Sequence, residues 1–286
     1  MTRARALLAG LCLAAISTSA IAATSAKSAE AAKLSERDWR TPAPETVMVI
    51  DTNKGRVLVE LVPEVAPNHV ARLQDLTRAG IYDGRTFFRV IDRFMAQTGD
   101  PTNTGEGGTD RPNLKAEFTF RRAADTAFAP MAAPAGLEVG YLKSLPIVSQ
   151  GWSWSEMTSD RKVAAWGTYC PGVLGMARDE DNNSANSQFF LMRQPYPSLD
   201  KRYTAFGRVI SGLDVVRAIK TGEPVPPPQD LMQKVRLLSD IPETERPKVR
   251  VIDPRGAWFA AETRRLRTLK GADFSVCDID LPVEVR

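Results

Sequence analysis

The chain carries little of the usual catalytic equipment. Among 286 residues there is one histidine, His69, and there are three cysteines, Cys12, Cys170 and Cys277. A Ser-His-Asp triad could draw only on His69, and a zinc site with several histidine ligands is impossible. Asp100, Asp179 and Glu180 could serve a hydrolase as acid and base, but acid density is the only support for that reading. The run Asp179-Glu180-Asp181-Asn182-Asn183 lacks the central glycine and distal glutamate of a calcium loop. Gly105-Glu106-Gly107-Gly108 has no Lys-Ser/Thr behind it, so it is no phosphate loop. The segment from Phe87 to Asp100, FFRVIDRFMAQTGD, is of another kind. It sets Arg89 and Gln97 around the apolar pair Phe94 and Met95. Arginine is always charged and offers five rigid donors. The chemistry on offer is charge and hydrogen bonding beside an apolar wall.

Short strands must position these residues. Val47 to Ile50 and Val57 to Leu61 flank the turn residues Thr52-Asn53-Lys54-Gly55 and read as a hairpin. Pro67 opens a helix on which Val70, Leu73 and Leu76 share a face, and Gly80 ends it. His69, in its first turn, is expected to face solvent. Thr86–Met95, Val173–Met176, Gln188–Met192, Ala205–Ile210 and Lys234–Leu238 read as further strands, and Leu213–Ile219 as a second helix. Residues 121–170, rich in Ala, Pro and Trp, read as irregular, with Trp152 and Trp154 expected to cluster with Trp166. Many short strands with two helices argue for a β-barrel or sandwich. With 43% hydrophobic and 25% charged residues the composition is that of a globular protein, not of a disordered, collagen-like or polytopic membrane chain. A net charge of +4 with acids and bases interspersed argues weakly for nucleic-acid binding, and none is expected.

Three stretches together resemble the cyclophilin family of peptidyl-prolyl cis-trans isomerases. They are Phe87 to Asp100; Gly172-Val173-Leu174-Gly175-Met176-Ala177 followed by Asn186-Ser187-Gln188-Phe189-Phe190; and Leu199 to Val209 (LDKRYTAFGRV). They occur in the family's order, and the resemblance spans roughly residues 45–242. It implies a closed, eight-stranded antiparallel β-barrel with a helix at each open end, here carrying a long insertion at about 121–170 and a C-terminal extension at 243–286. It implies Arg89 as the catalytic residue. Phe94, Met95, Phe190 and Leu199 would form the proline pocket, Gln97 and Gln188 would bind the peptide backbone, and Ala177 and Tyr203 would complete the groove. The loop Thr104 to Gly108 would border a neighbouring pocket. No cofactor and no metal are implied.

These residue types suit that reaction. Rotation about an Xaa–Pro bond faces a barrier of roughly 18–20 kcal/mol because the amide is conjugated. At the twisted transition state the proline nitrogen regains its lone pair. A donor aimed there binds the transition state better than the ground state, which is the condition for catalysis. The alternative is a cyclophilin-like chaperone or scaffold that holds proline-containing segments with little turnover. Three departures from the family pattern bear on ligand response. Ser198 stands where the eukaryotic pattern has tryptophan, Tyr203 where it has histidine, and Arg178 where it has asparagine.

The N-terminus reads as an export signal. Arg3 and Arg5 precede an uncharged run from Ala6 to Ala23, and Ala20-Ile21-Ala22 offers a small-x-small cleavage site. Residues 1–22 would be the signal and 23–44 a tether, with the isomerase domain at 45–242. The protein would act in the periplasm, without stable membrane insertion, on unfolded or flexible proline-containing polypeptides. The oligomeric state is open. Cleavage would remove Cys12, leaving Cys170 and Cys277 either bridged or as separate buried thiols.

Overall fold

The computed structural model describes residues 33–286. The segment read as a signal, residues 1–22, lies outside the described residues. The fold is mainly β. Its largest sheet has nine strands, in the order Arg85–Thr86, Leu231–Leu237, Val47–Thr52, Gly55–Leu61, Ala205–Ser211, Val173–Met176, Phe189–Met192, Met95–Thr98 and Arg89–Ile91. Hydrogen-bonded neighbours in it are antiparallel. The ladder is open where a closed one of eight strands was expected. The reason lies at Phe87–Phe88, which interrupts the run read as one strand and leaves a sheet edge on each side of itself. The N–H of Phe87 donates to Asp230 O, and Phe88 O accepts from Val225 N.

The interior of this curled sheet is apolar. Met48, Ile50, Val57, Val59 and Leu61 from the first hairpin meet Leu174, Leu191 and Phe206. Helix α1 (Pro67–Arg78) packs Val70, Leu73 and Leu76 onto that core, and α2 (Leu213–Ala218) adds Val216. His69 is fully buried, contrary to expectation. Glu117 reaches over to accept from the N–H groups of Asn68 and His69, and its Oε2 lies 2.6 Å from His69 Nδ1. A carboxylate at a helix N-terminus meets both unpaired N–H groups and the helix dipole. Burial pushes the Glu117 carboxyl up, but the bonds from His69 and Asn68 outweigh it and hold it below the usual range.

Residues 121–170 are not irregular. Phe120–Arg122, Phe128–Ala132, Leu137–Leu142, Leu145–Gln150 and Val163–Gly167 form a five-stranded antiparallel sheet. Tyr141, Leu145, Ile147 and Ala165 build a second core with Phe259, Leu266, Val276 and Ile279 of the C-terminal segment. Trp152 stacks under Arg122 and Trp154 is 53% exposed, so the tryptophans do not cluster.

The extension does not stand apart either. Val249–Ile252 pairs with Trp39–Arg40 on one side and Val283–Val285 on the other. Helix α3 (Ala257–Lys270) follows it. Residues 35–40, within the segment read as a tether, are therefore built into the fold. Asp38 accepts from Trp258 N at the start of α3, and Arg40 forms a two-point pair with buried Glu60 at 2.5 and 2.7 Å. A Cys170–Cys277 disulfide joins the end of the insertion to the extension. Among the described residues, no helix is long and apolar enough to cross a membrane.

Candidate active site

Four neighbouring strands assemble the predicted residues. Arg89 lies opposite Gln97, Gln97 opposite Phe190, and Phe190 opposite Gly175. Residues opposite one another in a ladder share a face. The four therefore form a row on the outer side of the sheet, while Val90, Ala96, Leu191 and Leu174 enter the inner core. The turn from Arg89–Ile91 to Met95–Thr98 passes through Arg93 at φ 57° and brings Phe94 round. Gly175 is required by close approach. A Cβ there would sit 2.3 Å from Phe190 Cζ and 2.7 Å from the Tyr169 hydroxyl.

The row borders a pocket of about 190 Å³ lined by Arg89, Phe94, Met95, Gln97, Ala177, Arg178, Phe190, Leu199 and Tyr203. The sequence-predicted residues thus converge on one cavity, apart from Gln188, which lines an adjoining polar pocket of about 390 Å³ together with Gln97, Gly105 and Gly107. Met95, Phe190 and Leu199 belong to the second core, so the pocket floor continues into the insertion. Tyr169 stacks on Phe190 at 5.8 Å between centroids, and Tyr203 meets the same ring edge-on, also at 5.8 Å. Tyr196 braces Phe94 at 4.6 Å. These rings fix the apolar wall.

The polar side of the site is a chain of hydrogen bonds. Arg89 Nε donates to Glu223 Oε1 at 2.6 Å, and Nη1 to Gln97 Oε1 at 3.3 Å. Gln97 Nε2 donates to Gln188 Oε1, and Gln188 Nε2 to the carbonyls of Gly105 and Gly107. Among the described residues nothing accepts from Arg89 Nη2. Asp100, a candidate acid from sequence, organises this loop instead. It is buried and accepts from the N–H groups of Thr102, Thr104, Gly105 and Gly107. Burial pushes its carboxyl up, yet those donors prevail and hold it below the usual range. Asp179 and Glu180 are exposed, and their carbonyls hold Arg178. The three acids do not form a hydrolytic pair.

Sequence reasoning missed Glu223, which is 134 positions from Arg89 and carried no local signal in its proline-rich loop. It noted Arg178 as a departure without placing it in the pocket.

Residues 47–239 match the family described as cyclophilin type peptidyl-prolyl cis-trans isomerase/CLD. The chain belongs to this family. A Brucella suis protein named "Probable peptidyl-prolyl cis-trans isomerase" is 34% identical over 190 residues, covering 63% of this chain and 74% of that protein. Peptidyl-prolyl cis-trans isomerase ppi1 of Schizosaccharomyces pombe is 32% identical over 168 residues, covering 59% and 81%. The crystal structure of cyclophilin AquaCyp293 from Hirschia baltica superposes with a TM-score of 0.81 at 33% identity, over 89% of this chain and 98% of that one. That coverage exceeds residues 47–239, so the likeness to this cyclophilin extends beyond the isomerase domain. The activity is therefore that of a cyclophilin-type peptidyl-prolyl isomerase.

Proposed function

We propose that Arg89 accelerates rotation of Xaa–Pro bonds whose proline ring sits between Phe94, Met95, Phe190 and Leu199, and that the substrates are exported polypeptides. The observation that carries the catalytic role is the state of the Arg89 guanidinium. Its Nε is held by Glu223 and its Nη1 by Gln97, leaving Nη2 unengaged at the rim of the pocket that Phe94, Met95, Phe190 and Leu199 wall on one side. A donor fixed beforehand needs no reorganisation when the proline nitrogen frees its lone pair. Gln97 and Gln188 would bind the peptide backbone, and Ala177 and Tyr203 would close the groove. Lowering the barrier by ~7 kcal/mol would give about 10⁵-fold acceleration.

We also propose that the nine-stranded sheet is the family's barrel. The support is that the two edge strands of the open ladder are separated by Phe87 and Phe88 alone. Export to the periplasm rests on the sequence of residues 1–22, and the Cys170–Cys277 bridge agrees with an oxidising compartment.

Catalysed exchange of a proline peptide by Arg89→Lys tests the site. Lysine keeps the charge and loses the fork, so most of the rate should go; an undiminished rate would remove Arg89 from the mechanism. Cell fractionation with N-terminal sequencing tests export. A chain recovered from the cytoplasm with residues 1–22 intact would contradict it.

A further inference from the structure

Arg178 is held rigidly beside the proline pocket. Its Nε donates to Arg202 O at 3.0 Å, and its Nη1 to the carbonyls of Asp179 and Glu180 at 2.6 and 3.3 Å. The guanidinium lies 4.6 Å from the centroid of Tyr203 and 5.8 Å from that of Phe118. Among the described residues, nothing accepts from its Nη2 and no carboxylate pairs with it. It borders both the proline pocket and the adjoining polar pocket. The other charge lining the proline pocket, Arg89, is met by Glu223 at 2.6 Å. Arg178 is thus an immobilised, uncompensated cation where the chain flanking a seated proline must run.

We propose that Arg178 is a specificity-determining residue that favours proline peptides bearing a carboxylate beside the proline. This rests on the reading of the pocket given above. A carboxylate can accept a charge-assisted hydrogen bond from Nη2, the one guanidinium nitrogen left without an acceptor. Because the side chain is already fixed, little conformational freedom is lost on binding. Lysine or arginine at the same substrate position meets repulsion. Glu106 and Asp179 are exposed and line the polar pocket, so the preference is confined to side chains that reach Arg178 before those acids. The site is open to solvent, and the effect is therefore modest and sensitive to salt.

The test uses six peptides that carry Glu, Gln or Lys immediately before or immediately after a central proline. Binding is followed by fluorescence anisotropy and catalysed exchange by NMR. At low salt the wild-type protein should bind the better Glu peptide about 10-fold more tightly than its Lys counterpart, a difference of about 1.4 kcal/mol. The ratio should shrink in 0.5 M salt, on the order of the screening expected at ~3–8 Å Debye lengths. Arg178→Asn should bring it within about 2-fold, and Arg178→Lys should keep part of it. Equal affinities in the wild type, or an unchanged ratio in Arg178→Asn, would overturn the proposal. The two readings fail separately. Acid preference without catalysed exchange supports the role of Arg178 and removes that of Arg89, whereas exchange without charge preference does the reverse.

Discussion

Removing the Cys170–Cys277 bridge should make the protein markedly easier to unfold while leaving its structure intact. The bridge spans 107 positions. Closing a loop of about 100 residues restricts the unfolded chain by ~4.7 kcal/mol in the chain-entropy model. The folded extension has other anchors. Phe259, Leu266, Val276 and Ile279 are buried against the insertion. Four such side chains contribute roughly 6–12 kcal/mol of apolar burial as an upper range. The Tyr141 hydroxyl adds hydrogen bonding to the carbonyls of Val276 and Ile279 at 3.1 and 3.0 Å. Those contacts should keep the extension docked in a Cys170→Ala/Cys277→Ala double variant. We expect that variant to lose about 4 kcal/mol in denaturant titrations and roughly 10 °C in Tm, with an unchanged circular dichroism spectrum. Tyr169, next to Cys170, stacks on Phe190, so peptide affinity should fall slightly as well. Coincident unfolding curves for the wild type and the variant would refute the argument. So would two titratable thiols in denatured, non-reduced protein taken from an oxidising compartment.

Three other consequences can be checked independently. Ser198 is exposed where cyclosporin-sensitive relatives carry an indole; losing ~100 Å² of apolar contact and one donor amounts to about 3.5 kcal/mol. Cyclosporin should therefore inhibit several hundred-fold less well than it inhibits a tryptophan-bearing cyclophilin, Ser198→Trp should restore part of the response, and nanomolar inhibition of the wild type would be the contrary result. Gly175→Ala would push a methyl group into Phe190 and Tyr169, so proline-peptide affinity should drop about 10-fold or more, in line with overpacking of 1–3 kcal/mol, and unchanged affinity would show that the ring can yield. The Asp100 carboxyl is held below its ordinary value by the loop amides, so its stabilisation is present above about pH 4 and fades as pH falls through the lowered folded value; the protection of the Gly105 and Gly107 amides relative to their intrinsic exchange rates should fall only in that acidic window, and a loss of protection already at pH 6 would assign the loop's stability to another group.

Much of the candidate site was legible through the resemblance of Phe87 to Asp100, of Gly172 to Ala177 with Asn186 to Phe190, and of Leu199 to Val209 to the cyclophilin pattern, and period-2 alternation explains why those of its residues that lie on strands share a face. Val90, Ala96, Leu191 and Leu174 face the core, which forces Arg89, Gln97, Phe190 and Gly175 onto the opposite face. What stayed hidden depends on distant parts of the chain. Pro130, Pro146 and Gly140 blur the strand pattern of the insertion, whose sheet is stabilised by burial against the C-terminal segment. Helix α3 buries Phe259, Thr263 and Leu266 at helical spacing, but one of the three is polar and arginines fill the adjoining positions. The Trp39–Arg40 strand is two residues long and exists through its pairing with Val251 and Ile252. His69 is buried because Glu117 arrives from 48 positions away, a contact that no local window contains.

On the proposed mechanism Arg89 supplies the transition-state contact, while the pocket around Phe94, Met95, Phe190 and Leu199 supplies the binding. Exchange spectroscopy on a proline peptide with the wild-type chain and Arg89→Ala separates the two. Removing a charge-assisted contact of ~3 kcal/mol that is made mainly in the transition state should lower the catalysed exchange rate about 100-fold or more. Saturable peptide binding and the thermal unfolding midpoint should stay close to wild type, because Arg89 is a rim residue, 37% exposed. An Arg89→Ala protein that binds the peptide and exchanges it at near wild-type rate would show that Arg89 does not supply the transition-state contact.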